Sequence, residues 1–145
     1  MAVCIRQGAK ADVGACVDIL RDWAEKTPWM PALSSRGSMQ EFWHENFKVQ
    51  PVWVAEDGER VVGFCARGDD NIIGLYVTSD ARGAGIGKRL LDSAKADRDW
   101  ITAWVDAPNM RAVAFYVREG LVEISRETEE WSGLLIVEHR WKRPA

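Results

Sequence analysis

Apolar positions recur along the chain with two different spacings, and each spacing predicts its own kind of element. Helical spacing, in which every third or fourth residue is apolar, predicts four amphipathic helices. Short apolar runs between turn signals predict seven strands. Together they predict the order β-α-α-β-β-β-α-β-α-β-β, an α/β (α+β) fold in which a mixed central sheet carries helices on both faces.

Individual residues set some of the predicted boundaries. Ser38, followed three residues later by Glu41, has the spacing of a capping box at the start of the second helix. Gly74 lies inside a predicted strand and indicates a bulge there. The second helix is predicted to bury three apolar side chains, those of Met39, Phe42 and Trp43.

Composition excludes several classes of protein. With 145 residues, 47% hydrophobic and 28% charged, the chain is predicted to form a single globular domain over residues 1–145. Its net charge of −3 and isoelectric point near 5.4 argue against a nucleic-acid partner. Neither a signal-peptide pattern nor an apolar run of about 20 residues occurs, so we expect no membrane partner and a cytoplasmic location.

The three cysteines and two histidines are scattered along the chain. They form no C-x-x-C pair and no cluster with metal-ligand spacing, which predicts that the protein holds no metal. Cys65 lies in an apolar strand without a histidine nearby in sequence. We therefore expect it to be a core residue rather than a nucleophile.

Residues 82–88 form a glycine-rich segment between a predicted strand and a predicted helix. Glycines let the backbone approach a ligand closely, and the free N–H groups of the helix start attract phosphate. A dinucleotide fingerprint would need glycine in place of Lys88, and a P-loop would need glycine in place of Arg82. A plain turn joining strand to helix is the remaining alternative.

The same segment fits R/Q-x-x-G-x-G/A and so resembles the pyrophosphate loop of the GNAT (Gcn5-related N-acetyltransferase) family. Residues 109–121 resemble a second signature of that family, N-x-x-A-x-x-F-Y-x-x-x-G-F, in which Leu121 replaces the last Phe. The motifs lie in the middle and C-terminal parts of the chain, whereas the N-terminal part matches in element order only. The resemblance implies a mostly antiparallel GNAT-type sheet. It also implies an acetyl-CoA-dependent N-acetyltransferase that moves an acetyl group to a primary amine by direct attack in a ternary complex.

The resemblance also implies roles for particular residues. Asn109 would bind the pantetheine arm, although an asparagine at this position also suits a helix N-cap. Tyr116 would protonate the departing CoA thiolate as a general acid, and its alternative is packing through the ring with its hydroxyl in water. A backbone N–H near Leu75 or Tyr76 would polarise the thioester carbonyl. The implied cofactor-binding residues are Leu75, Tyr76, Val77, Arg82, Gly83, Ala84, Gly85, Ile86, Gly87, Lys88, Asn109 and Tyr116.

The acceptor side is less defined by sequence. No general base is assigned, because the acids near the implied acetyl-CoA strand, Asp69, Asp70 and Glu56, suit solvated turn or strand-end charges. Aromatic faces beside carboxylates suit a cationic amine on a small molecule or an exposed protein site, the alternative being a solvated hairpin. The candidate acceptor-binding residues are Trp29, Met30, Glu130 and Trp131.

Two other functions stay open at the level of sequence. One is a catalytically silent CoA-binding sensor or interaction module with the same fold, and the other is a nucleotide-binding protein that uses the glycine-rich segment. An edge strand ending in Trp141-Lys142-Arg143 would allow pairing between two subunits and indicates a homodimer.

Overall fold

The computed structural model describes residues 2–145 as a seven-stranded sheet with four α-helices, in the predicted order. The strands are β1 (Val3–Gln7), β2 (Val52–Asp57), β3 (Arg60–Gly68), β4 (Asn71–Val77), β5 (Trp100–Asp106), β6 (Val122–Thr128) and β7 (Leu135–Lys142). The helices are α1 (Val13–Glu25), α2 (Arg36–Val49), α3 (Ile86–Lys95) and α4 (Met110–Arg118).

The strands are ordered β1-β2-β3-β4-β5-β7-β6 across the sheet, and every neighbouring pair is antiparallel except β4–β5. This confirms the mixed, mostly antiparallel sheet. The prediction that the strand ending in Trp141-Lys142-Arg143 is an edge strand is wrong. Because β7 pairs with β5 on one side and β6 on the other, its backbone groups are already used and cannot pair with a second subunit.

Helices cover both faces of the sheet, as predicted. On one face, α3 and α4 pack over a core that includes Leu90, Leu91 and Ile101, all fully buried. On the other face, α1 and α2 pack over a second core around Val17 and Phe64. Burying one such side chain stabilises the fold by about 1.5–3 kcal/mol, so the two cores hold the sheet between the helix layers.

The start of α2 differs from the prediction. Ser35, not Ser38, is the N-cap, and its side-chain oxygen accepts a hydrogen bond from the Ser38 backbone N–H at 3.2 Å. The Ser38–Glu41 capping box is therefore wrong, because Ser38 already lies inside the first helical turn. Phe42 was also expected to be buried but is 54% exposed, since α2 turns the stripe of Met39 and Trp43 toward the sheet instead.

A bulge interrupts β4 beside Gly74, which confirms the prediction made from that glycine. Ala66 pairs with Gly74 while the next residue, Arg67, pairs with Ile72, so Ile73 is the extra residue. A side chain at position 74 would lie 3.1 Å from the Tyr76 ring, and glycine therefore leaves room for that ring. The bulge lies where β4 begins to separate from β5.

Candidate active site

β4 and β5 run parallel but separate before either strand ends. They pair only through Asn71 with Thr102 and Ile72 with Ala103, and within residues 2–145 no later pair joins them. A gap therefore opens between the strands toward their C-terminal ends. The two strands thus splay apart beyond Ile72 and Ala103.

The gap exposes backbone groups of β4. The Thr78 N–H donates to the Val62 carbonyl on β3 at 2.8 Å. Backbone groups alternate in direction along a strand, so Tyr76 also directs its backbone groups toward β3. Leu75 and Val77 then direct theirs toward the gap, where a ligand running alongside β4 can use them.

A cleft of about 760 Å³ extends from this gap over the glycine-rich segment to one face of α4. It brings together every predicted cofactor-binding residue except Ala84, which does not line it. The predicted residues that line the cleft are Leu75, Tyr76, Val77, Arg82, Gly83, Gly85, Ile86, Gly87, Lys88, Asn109 and Tyr116.

The glycines of this segment serve two purposes. Gly83 and Gly85 have φ of 83° and 76°, the left-handed region that other residues rarely adopt. They turn the chain so that α3 begins at Ile86 with its first N–H groups beside the cleft. At Gly87, an added Cβ would lie 3.3 Å from the Phe115 ring, so glycine lets α3 and α4 approach each other. The free N–H groups and the helix dipole suit a phosphate.

Cationic side chains flank the glycine-rich segment. Arg82 is partly buried, and this burial, together with the nearby charge of Arg111, lowers its pKa. Two guanidinium groups held close together favour a bound phosphate, which both can contact. Lys88 is less available to a phosphate, because its Nζ lies 3.3 Å from the carboxylates of both Asp92 and Glu119, which offset its charge. Sequence reasoning missed Arg111, whose position two residues after Asn109 was its only signal.

Asn109 is the N-cap of α4. Its side-chain oxygen accepts a hydrogen bond from the Ala112 backbone N–H at 3.2 Å, which confirms the cap interpretation. Asn109 also lines the cleft, so its contact with the pantetheine arm stays a prediction alongside the cap.

Tyr116 lies two turns into α4 and lines the same cleft. Its ring packs edge-on against Phe115, with centroids 5.2 Å apart, and stacks on His139 at 6.4 Å with the ring planes inclined by 28°. Burial, with a smaller contribution from Cys65, raises the pKa of Tyr116 above its usual range. The phenol therefore stays protonated at neutral pH, as a proton donor requires.

The two buried thiols, Cys16 and Cys65, are not arranged to act as nucleophiles. Cys16 and Cys65 are fully buried, and burial raises the pKa of each to about 12, which confirms Cys65 as a core residue. The cleft lining contains no cysteine, serine or histidine among the residues described. Over residues 2–145 no three His, Cys, Asp or Glu side chains are placed to share a metal ion, and no helix is long and apolar enough to cross a membrane.

The predicted acceptor-binding residues do not all meet. Trp29 lines a second cavity of about 340 Å³ beside the cleft and packs edge-on against Trp23 at 5.9 Å. Met30, Glu130 and Trp131 line neither cavity. Trp131 is 68% exposed in the turn between β6 and β7. This turn lies near the C-terminal end of β5, because the Ala107 N–H just after β5 donates a hydrogen bond to the carbonyl of Leu135, the first residue of β7.

The acids considered near β4 are ion-paired and lie away from the gap. Asp69 and Asp70 precede β4, at the opposite end from the gap, and both lie within 4 Å of Arg98 (3.8 and 3.6 Å). Glu56 pairs with Arg6 at 2.9 Å. None of the three is placed to remove a proton from a substrate in the gap.

Known proteins resemble this chain in both sequence and fold. The peptidyl-lysine N-acetyltransferase YjaB of Salmonella typhimurium is 28% identical over 121 residues, 83% of each chain. The solution structure of apo-form YjaB from Escherichia coli superposes with a TM-score of 0.80 at 21% identity and covers 99% of this chain and 100% of that one. The structure of yncA from Salmonella typhimurium with its cofactor acetyl-CoA gives 0.76 at 19%, with coverage of 99% and 95%.

The match to a family is direct. A family model described as "Acetyltransferase (GNAT) domain" matches residues 48–123, more than half of the chain. This span includes the splayed strand β4, the glycine-rich loop and α4 with Asn109 and Tyr116. The chain therefore belongs to the GNAT acetyltransferase family, acyltransferases that take the acetyl group from acetyl-CoA.

Proposed function

We propose that this acetyltransferase transfers the acetyl group of acetyl-CoA to the side-chain amine of a lysine in a protein or peptide. The observation that carries the proposal is the gap between β4 and β5, with the protonated Tyr116 beside it. The Salmonella typhimurium relative, which covers 83% of the chain, is named a peptidyl-lysine N-acetyltransferase and supports a protein lysine over a small free amine.

Each part of the cleft has a proposed share in holding acetyl-CoA. The pantetheine arm pairs with backbone groups of Leu75 and Val77, which are favoured over Tyr76 because the latter faces β3. The amides of the glycine-rich loop and the Arg82 and Arg111 guanidiniums hold the pyrophosphate.

Transfer in this proposal is direct. The amine attacks the thioester carbonyl, and Tyr116 gives its proton to the sulfur as the carbon–sulfur bond breaks. A covalent acyl-enzyme is disfavoured because the cleft lining described here lacks a cysteine or serine, and Cys65 is buried with a raised pKa of about 12.

The acceptor approaches from the side of α1 and the β6–β7 turn. Trp29 supplies an aromatic face in the cavity beside the cleft, and Glu130 and Trp131 supply an exposed carboxylate and ring at the same end of the sheet. Both features attract an ammonium group. An exposed lysine on a protein surface can reach such a site without entering a deep pocket.

We also propose that residues 1–145 act as one domain in the cytoplasm. The strands outside the family match, β1 and β7, belong to the same sheet as those inside it, which supports a single unit. Three free cysteines, one of them the exposed Cys4, support a reducing compartment.

The purified protein, incubated with acetyl-CoA and matched acceptors, tests this function. The acceptors are a lysine peptide with a blocked N-terminus, the same peptide with arginine for lysine and a free N-terminus, and a small diamine. CoA release and peptide mass should show acetylation of the lysine peptide first. Preference for the free N-terminus or the diamine would contradict the lysine assignment. Binding of acetyl-CoA without transfer to any acceptor would favour the sensor alternative.

A further inference from the structure

Asp106 is the last residue of β5, at the open end of the gap. Its neighbour Val105 packs into the core beneath α3 and α4. Because side chains alternate along a strand, the Asp106 carboxyl lies on the opposite face of the sheet, the face that α1 covers. Tyr76 lies on that face too, with its ring 5.3 Å from Trp23.

The two sides of the gap therefore carry different chemistry. Tyr116 belongs to the core cluster on the α3 and α4 face, together with Val105. On the α1 face, the Tyr76 ring lines the cleft, and Asp106 ends β5 at the open end of the gap without lining either cavity. An amine that entered from the α1 side would pass the Asp106 carboxyl, whereas the Tyr116 phenol lies on the other side of the sheet.

The Asp106 carboxyl is half-buried without a partner. Within residues 2–145, neither a cation nor a hydrogen-bond donor stabilises its charge, and burial followed by the Glu129 carboxylate raises its pKa. By contrast, Asp12, Asp80 and Asp97 all pair with arginines. An unpaired, half-buried carboxyl costs stability and is typical of groups that exchange protons during a reaction.

The groups that face Asp106 come from two neighbouring elements. Glu129, in the turn between β6 and β7, adds a negative charge, and Tyr76 on β4 adds a neutral phenol. Burial, followed by the Asp106 charge, raises the pKa of Tyr76 to about 12, so this phenol stays neutral at physiological pH.

We infer that Asp106 is the general base of the amine acetylation proposed above, on which this inference rests. β4 itself contains no acidic residue, whereas Asp106 supplies a carboxyl from across the gap. Asp106 takes one proton from the acceptor ammonium, directly or through one water, and passes it to solvent. The free nitrogen then forms the carbon–nitrogen bond while the carbon–sulfur bond breaks. Tyr116 protonates the sulfur, and the second proton lost by the nitrogen restores Tyr116.

Replacing Asp106→Asn removes the base but keeps the shape of the side chain. At pH 7, kcat/KM for the blocked lysine peptide should fall about 100-fold, because general bases typically contribute 10²–10⁴-fold. The remaining rate should rise steeply with pH. The acetyl-CoA Kd should stay near that of the parent, and the melting temperature should be equal or slightly higher, because an unpaired, half-buried charge is removed. With hydroxylamine, which is already unprotonated at neutral pH, the variant should act almost as fast as the parent.

Asp99→Asn is the matched control, since Asp99 lies just before the other end of β5 with a 95% exposed side chain. It should behave as the parent with both nucleophiles. Parental peptide activity in Asp106→Asn would overturn the base assignment. So would an equal loss with peptide and hydroxylamine, which indicates a structural role. A parent that acetylates hydroxylamine but no peptide at any pH would overturn the proposed lysine acceptor and with it the base.

A second variant tests the inference with Asp106 intact. Glu129→Gln removes the charge that faces Asp106 but keeps an oxygen for the hydrogen bond from Ser132, 2.7 Å long. The acidic limb of the kcat/KM profile for the peptide should move to lower pH. If the acidic limb of the profile did not move, Asp106 would not be the general base, and this result would hold even if Asp106→Asn proved too unstable to assay.

Discussion

The side-chain oxygen of Asn109 accepts a hydrogen bond from the Ala112 backbone N–H at 3.2 Å, at the point where α4 meets the cleft. The cap uses only the oxygen, because the donor is a backbone amide. The side-chain NH₂ of Asn109 is left for a ligand. One residue can therefore serve the helix and the cofactor with different atoms.

Replacements at Asn109 should separate these two roles. Serine caps helices as well as asparagine but has no NH₂ group. Asn109→Ser should keep the stability of the parent and bind acetyl-CoA more weakly. Asn109→Ala should lose about 1 kcal/mol of stability as well as affinity. Urea unfolding and calorimetric titration with acetyl-CoA measure the two effects. Parental affinity in the serine variant would make Asn109 a cap only.

Tyr116→Phe should slow the reaction without loosening the cofactor. Removing a general acid typically costs about 100-fold or more in turnover, whereas the phenyl ring keeps its packing against Phe115. Steady-state kinetics should show a lower kcat, and acetyl-CoA titration should show an unchanged Kd. If the variant turned over at the parental rate, another group would have to protonate the sulfur.

Arg111→Gln should have opposite effects on binding and on folding. Losing one charge-assisted contact to phosphate should raise the acetyl-CoA Kd roughly tenfold. The free protein should be as stable as the parent or slightly more so, because Arg82 no longer faces a like charge. Arg126→Gln, on β6 and paired with Glu123 at 2.7 Å, is the matched control for binding. Equal affinity in the two variants would remove Arg111 from the phosphate site.

Trp131→Ala should affect the acceptor alone. An exposed cation–π contact contributes about 0.5–1 kcal/mol, so KM for the lysine peptide should rise roughly threefold. Because Trp131 lies outside the cleft lining, the acetyl-CoA Kd should not change. An unchanged KM for the peptide would mean that the β6–β7 turn is simply a solvated hairpin.

Asp12 should make stability depend on acidic pH. Arg6 donates two hydrogen bonds to its carboxylate, at 2.8 and 2.9 Å, and the Ala9 N–H donates a third at 2.7 Å. The Arg6 bonds are the main reason that the pKa of Asp12 is lowered from the ordinary 3.8. Since the folded pKa is depressed, this stabilisation is complete above the ordinary value and is lost as the pH falls through the folded pKa.

Asp12→Asn should therefore lower the free energy of unfolding by about 2 kcal/mol at pH 7, and the difference from the parent should shrink below the ordinary pKa of 3.8. Urea unfolding at several pH values measures both. The exposed Asp99→Asn variant should match the parent throughout. A difference that stays constant down to pH 3 would show that packing rather than charge is responsible.

The sequence by itself determined the elements, their order and the cofactor loop. These depend on residues within a few positions of each other: apolar periodicity for the helices, glycine at Gly83 and Gly85 for the turn, and asparagine at Asn109 for the cap. The wrong N-cap of α2 arose because two nearby serines compete for the same role. Ser35 and Ser38 can both cap a helix, and the choice between them depends on where the chain leaves the preceding loop.

Only the tertiary structure decided what faces the gap. β4 and β5 meet through two residue pairs whose members are 31 positions apart in the chain, and no local pattern states where such strands separate. For the same reason β7 could not be placed between β5 and β6 from sequence. The only sequence signal for Arg111 is its position two residues after Asn109, and Asp106 simply ends an apolar strand. Their burial and the charges around them arise only when distant strands and helices pack together.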